Sequence, residues 1–262
     1  MIRSRHIFCM LALTSLLLIM PRTAMARATM IFWYPGEAGS TAEGQPVLDA
    51  FFAYLNQKIA PESVRGSYFN TIDGGLAEFK KSRPAVGIVS YAAWTQERAK
   101  LPAGATVLLG TLPSPAGTPT ERYTLVGTAA GMKPGMKVIA SEPLTLDFVR
   151  AQLFPALPAA AALSQAPQLL LNLKQIAEGK LDAVAILTPS EATSLARVSA
   201  AWSQALKVVA QSQPVPTARV VLFDPAWKGV AAFKQALLGI GSDPAARPLL
   251  DELRLMGFAE AK

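Results

Sequence analysis

The stretch from Arg27 to Ile59, RATMIFWYPGEAGSTAEGQPVLDAFFAYLNQKI, constrains the fold most, because it reads as a buried strand, a glycine loop and an amphipathic helix in succession. Met30 to Tyr34 is an apolar run of strand length, rich in aromatics, of the kind that is covered on both faces. Leu48, Phe51, Phe52, Leu55 and Ile59 recur at three- and four-residue spacing and line one helix face that must be buried. Ser40 with Glu43 matches a capping box at the start of that helix. Pro46 lies too deep for a first turn that begins after Ser40, so the spacing predicts a kinked opening turn or a later start. In the connecting YPGEAGS, Gly36 and Gly39 permit a tight turn with outward amide hydrogens. In an open α/β sheet, such a loop at the carboxyl end of a strand is where ligands bind.

The N-terminus has the three-part pattern of a secretory signal peptide: Arg3 and Arg5, the apolar run Ile7 to Met20, then Pro21 and the small-residue triplet Ala24-Met25-Ala26, with cleavage expected after Ala26. Removing residues 1 to 26 removes His6 and Cys9, the only His and Cys of the chain. A mature protein without either has no disulfide, no Cys or His metal ligand, no thiol nucleophile and no Ser-His-Asp arrangement. No Ser-x-x-Lys occurs and no paired carboxylates stand out, so the residues provide no catalytic set; no cofactor and no metal site is expected. The precursor carries 25 Lys and Arg against 18 Asp and Glu, and processing leaves 22 against 18. The basic residues are scattered, which argues against a nucleic-acid partner and supports only a slight bias toward anionic ligands.

Further along, Val64 to Asn70 reads as a weak strand, LAEFKKSR as a helix stopped by Pro84, and Ala85 to Ser90 as a second buried strand. Val107 to Leu112 and Tyr123 to Gly127 follow as strands. The pattern then restarts with a strand Lys137 to Ala140 and a helix Thr145 to Phe154. A helix over roughly Ala159 to Glu178, closed by a left-handed Gly179, leads to a strand Ala183 to Leu187 and a helix Glu191 to Leu195. KKSRPAVGIVSYAAW and EGKLDAVAILTPSEA match as helix end, buried strand and polar exit, which implies two lobes of similar design. After strands at Val208 to Ala210 and Ala218 to Phe223, the chain reads as helical, with Leu249, Leu250, Leu253 and Met256 on one helix that Asp243-Pro244 begins.

Four features together resemble a type II, two-lobed periplasmic substrate-binding protein, and within that group the phosphate/phosphonate-type branch of ABC-transporter binding proteins. They are the strand-loop-helix ending in PVLDAFFAYL, the pair GLAEFKKSRPAVGIVSY and IAEGKLDAVAIL, the crossing strand around ERYTLVG, and AQSQPVPTARVVL. The resemblance implies an α/β protein of two lobes, each a mixed sheet flanked by helices, joined by two crossing segments. Its first lobe would span 27–125 and 214–262 and its second 126–213. It further implies a monomer that binds a small, anionic solute between the lobes in the periplasm and hands it to the membrane permease of an ABC transporter; a periplasmic sensor or accessory protein is the alternative. Where phosphonate binders of this branch carry a Ser/Thr/Gly-rich anion loop, this chain has IASEPLTLDF, and Glu142 there would repel a phosphate.

On that reading the ligand meets residues just beyond strand ends: Tyr34, Glu37 and Ser40, Tyr91, Ser141 and Glu142, then Thr188 and Ser190. Tyr hydroxyls and backbone amides hold anions or amides, while Glu37 and Glu142 can pair with a cation. Each also has a plain structural role open to it: Ser40, Thr188 and Ser190 as helix caps, Glu142 as a helix-start carboxylate, and Tyr34 or Tyr91 as core.

Overall fold

The computed structural model describes residues 27–37, 39–128 and 132–261. The signal peptide read from residues 1–26 lies outside them. Among the described residues no helix is long and apolar enough to cross a membrane.

The chain opens with β1 (Ala28–Trp33), whose last four residues are buried, followed by α1 (Thr41–Lys58). The capping box forms as the sequence predicts, with the Ser40 side chain accepting from the Glu43 amide and the Glu43 side chain accepting from the Ser40 amide. The helix neither starts late nor breaks at Pro46; it runs through the proline. Burial of Leu48, Phe51, Phe52 and Leu55, each worth about 1.5–3 kcal/mol, offsets the one backbone hydrogen bond that proline forgoes.

Next come β2 (Val64–Phe69), α2 (Ile72–Ser82), β3 (Val86–Val89), α3 (Tyr91–Gln96) and β4 (Thr106–Pro113). The chain crosses through β5 (Thr120–Glu121) into β6 (Thr124–Gly127), β7 (Lys137–Ala140) and α4 (Leu146–Phe148), which continues as one π-helical turn to Leu153. Then follow β8 (Ala162–Gln165), α5 (Leu169–Ala177), β9 (Ala183–Leu187), α6 (Pro189–Ala196) and β10 (Lys207–Gln211). The return passes through β11 (Val215–Pro216) to β12 (Arg219–Leu222), α7 (Val230–Ile240), α8 (Arg247–Glu252) and β13 (Leu255–Glu260).

Two corrections to the sequence reading stand out. The helix expected over Ala159 to Glu178 is a strand followed by a shorter helix, because Pro158 and Pro167 bracket ALSQ and β8 pairs in parallel with β7. The last expected helix stops at Glu252; the chain reverses at Arg254 (φ 54°), and Met256 lies on β13, an edge strand paired with β4.

The six-stranded sheet runs β13-β4-β12-β3-β1-β2 and the five-stranded sheet β10-β6-β9-β7-β8, with β5 and β11 pairing as a separate ribbon between them. Each sheet contains the same parallel triple, β2-β1-β3 and β8-β7-β9. Beside the third strand of each lies an antiparallel strand, β12 next to β3 and β6 next to β9. The strand β6 follows the chain's exit from the first sheet, and β12 follows its return from the second. Two lobes of one design therefore exchange a strand position through two crossing segments, as the internal match of KKSRPAVGIVSY with EGKLDAVAILTPS implied.

Candidate ligand-binding cleft

The loop after β1 is tied to the neighbouring strand before it meets anything else. Tyr34 and Gly36 donate backbone hydrogen bonds to Phe69 and Asn70, and the Asn70 amide donates to the Gly39 carbonyl at 2.5 Å. Gly36 (φ 91°) is obligatory twice over: its backbone is left-handed, and a Cβ there would lie 2.5 Å from Cα of Glu142 in the other lobe. The two lobes thus touch at this loop. Three further contacts join them: Tyr91 Oη donates to Gln152 Oε1 at 2.9 Å, the Thr145 amide donates to Gln96, and Arg254 donates to Ser190 Oγ at 3.2 Å.

Of the residues singled out from sequence, Tyr34 follows the end of β1 half-buried, while its neighbour Trp33 is the core member of the pair, with its indole N–H donating to the Thr71 carbonyl. Ser40 is an exposed helix cap. Tyr91 opens α3 and leans into the second lobe, packed on Phe148 with ring centroids 6.0 Å apart. Ser141 is buried and donates to Glu191. Glu142 is only 8% exposed and accepts from Tyr123 Oη at 2.9 Å. Thr188 caps α6 in a second capping box with Glu191, and Ser190 receives Arg254. Tyr34, Glu37 and Glu142 come together with Ser141 behind them; Ser40 and Thr188 cap helices, and Ser190 meets Arg254 across the lobes.

Four further residues belong to the same place. Glu121 sits on the crossing ribbon, Tyr123 enters β6, Tyr68 lies on β2 and Glu191 stands behind Ser141. Burial, and then the charge of Glu37, push the Glu121 carboxyl up to about 7. Burial also pushes Glu142 up to about 8; the Tyr123 hydrogen bond works against this, while Glu121, Glu191 and Glu37 add to it. Glu37 is solvent-exposed, yet desolvation raises its carboxyl; Glu191 adds to the rise and Arg254 opposes it. Burial and then the same carboxylates raise Tyr34, Tyr68 (to about 12) and Tyr123. No single-sequence signal marks Glu121, which becomes part of the site only when the crossing ribbon and the second lobe are in place.

Arg219 is a different kind of residue. It opens β12, is 8% exposed, and its side chain has no hydrogen bond or ion pair among the described residues; desolvation lowers its pKa, countered by Tyr91.

The fold has close counterparts among solved structures. A Xanthomonas citri protein solved bound to ATP superposes with a TM-score of 0.67 at 14% identity, over 90% of this chain and 91% of that one. PhnD1 from Prochlorococcus marinus, in complex with methylphosphonate, gives 0.62 at 9% identity over 90% and 93%. The binding protein component of an ABC phosphonate transporter from Pseudomonas aeruginosa gives 0.60 at 12% identity over 90% and 82%. This chain has the type II periplasmic-binding-protein fold. No family model matches it, and no curated protein matches it by sequence. The fold alone is what these likenesses establish.

Proposed function

We propose that this protein is an exported solute-binding protein that captures a small solute between its lobes and delivers it to the permease of an ABC-type importer. One observation carries the reading: the carboxyl ends of both parallel triples face the same cleft, where Gly36 of one lobe already abuts Glu142 of the other. Four contacts across the cleft, two of them from α3, make closure a rigid-body event about the β5/β11 ribbon. The Pseudomonas aeruginosa protein of this fold, a binding protein component of an ABC phosphonate transporter, supports the importer role; on this reading the chain works in the periplasm as a monomer that binds rather than reacts.

A thermal-shift screen of the purified protein against amino acids, amines, oxyanions, phosphonates, sulfonates and vitamins tests this. A solute present at about 100 times its dissociation constant stabilises the folded state by about 2.7 kcal/mol, an easily read rise in melting temperature. Silence across the screen, with a protein partner captured instead, overturns solute delivery in favour of an accessory role.

A further inference from the structure

Carboxylates reach the cleft from separate parts of the chain. Glu37 comes from the loop after β1, Glu121 from the crossing ribbon and Glu142 from the exit of β7; Glu191, on α6, adds its charge from behind Ser141. None of the four belongs to any ion pair among the described residues. Glu142 is the sharpest case. The residue is more than nine-tenths buried, Tyr123 donates to Oε2, and Oε1 makes no hydrogen bond among the described residues. A carboxyl so placed keeps its proton unless a donor or a positive charge joins it, so a cation is the occupant that favours its ionised form.

The other titratable groups around it fit the same occupant. Tyr34, Tyr68 and Tyr123 lie close enough to these carboxylates to feel their charge, and aromatic rings beside carboxylates are the chemistry that holds ammonium groups. The nearby cation, Arg254, is spent on Ser190 at the edge of the cleft and acts on Glu37. Arg219 contributes nothing to the shifts of Glu37, Glu121 or Glu142. No group of three or more acidic residues among the described ones is placed to hold a metal ion.

We propose that the cleft takes a small organic cation, with its ammonium or guanidinium group seated between Glu37, Glu121 and Glu142. This rests on the solute-binding reading above and names the class of solute. It also fixes the sign of a proton linkage. A cation favours ionised carboxylates, so binding releases protons and tightens as pH rises; an anion needs them protonated and tightens as pH falls.

Calorimetric titration and thermal melting decide the matter. The probes are putrescine, spermidine, lysine, arginine and choline, set beside phosphate, methylphosphonate, sulfate, succinate, calcium and manganese, at about pH 6 and about pH 8.5. At least one organic cation is expected to raise the melting temperature and to bind about tenfold tighter at the higher pH. Glu121→Gln and Glu142→Gln are each expected to weaken that cation about tenfold or more without lowering the melting temperature of the unliganded protein. Stabilisation by anions alone, growing toward low pH, overturns the cation and leaves the solute-binding reading standing. Stabilisation by the metal ions alone does the same. No response to any probe overturns the cation, and the solute-binding reading falls with it only if the broader screen is silent too.

Discussion

The first sheet has two hollows at its opposite ends, and they differ in kind. At the carboxyl ends of its parallel strands lies the cleft, with Glu37, Glu121, Glu142 and a set of tyrosines. At the other end, where β3 begins and β12 finishes, a cavity of about 650 Å3 is floored by Leu76, Phe79, Leu101 and Phe223 and rimmed by Lys80, Arg83 and Lys100. The far cavity carries the positive charge and the apolar floor; the cleft carries carboxylates that belong to no ion pair among the described residues. The chain's net charge therefore says nothing about the charge at the place where the lobes meet.

The largest expected effect separates the two hollows by stability. Phe79 packs edge-on against Phe223 at 4.6 Å and against Trp33 at 5.8 Å, so Phe79→Ala should cost about 3–5 kcal/mol in denaturant unfolding while leaving solute affinity unchanged. A loss of affinity on the same scale would mean that the far cavity and the cleft act as one.

The cleft should reveal itself through pH. Folded Glu142 titrates at about 8 rather than 4.5, so between these values the folded state keeps a proton that the unfolded chain has lost. Stability is fully present below about pH 4.5 and falls as pH rises to about 8, on the order of 2–4 kcal/mol in the absence of solute. Glu142→Gln should flatten that slope in melts across the same range. Asp243 has the opposite sign: Lys58 and Tyr54 hold it down to about 2, so its contribution is lost only in stronger acid.

Gly36→Val should abolish lobe closure at the β1 loop. The new side chain meets Glu142 backbone from a left-handed position, and solute affinity should fall on the order of a hundredfold in calorimetry. The smallest effect belongs to the far rim, where Lys80→Glu should change stability by less than about 0.5 kcal/mol and leave solute binding as it was.

Most of the fold was legible because it is local or repeated. The capping box at Ser40, the buried runs of β1, β3 and β9, and the match between the two halves each depend on neighbours within one α/β unit. The errors fell where tertiary pairing overrode local pattern. ALSQ became a strand because β7 needed a parallel neighbour, and Met256 left its helix to complete the sheet edge beside β4. The candidate cleft was half legible. Tyr34, Glu37, Tyr91, Ser141 and Glu142 follow strand ends, a position that sequence reveals. Glu121 comes from the first crossing, and nothing in the residues around it marks it until the lobes are assembled. The capping boxes show the same limit: Glu43 only caps its helix, whereas Glu191, in the same motif, also takes the Ser141 hydroxyl and adds its charge to the cleft.

The most direct test of the cation-binding cleft is a count of protons. The solute that binds best in the screen is titrated calorimetrically at about pH 7.5 in two buffers of different ionisation heat, which yields the number of protons exchanged per molecule bound. Release of protons, diminished in Glu142→Gln, is the predicted result. Uptake of protons on binding would contradict it, because the occupant would then be an anion accommodated by protonated glutamates.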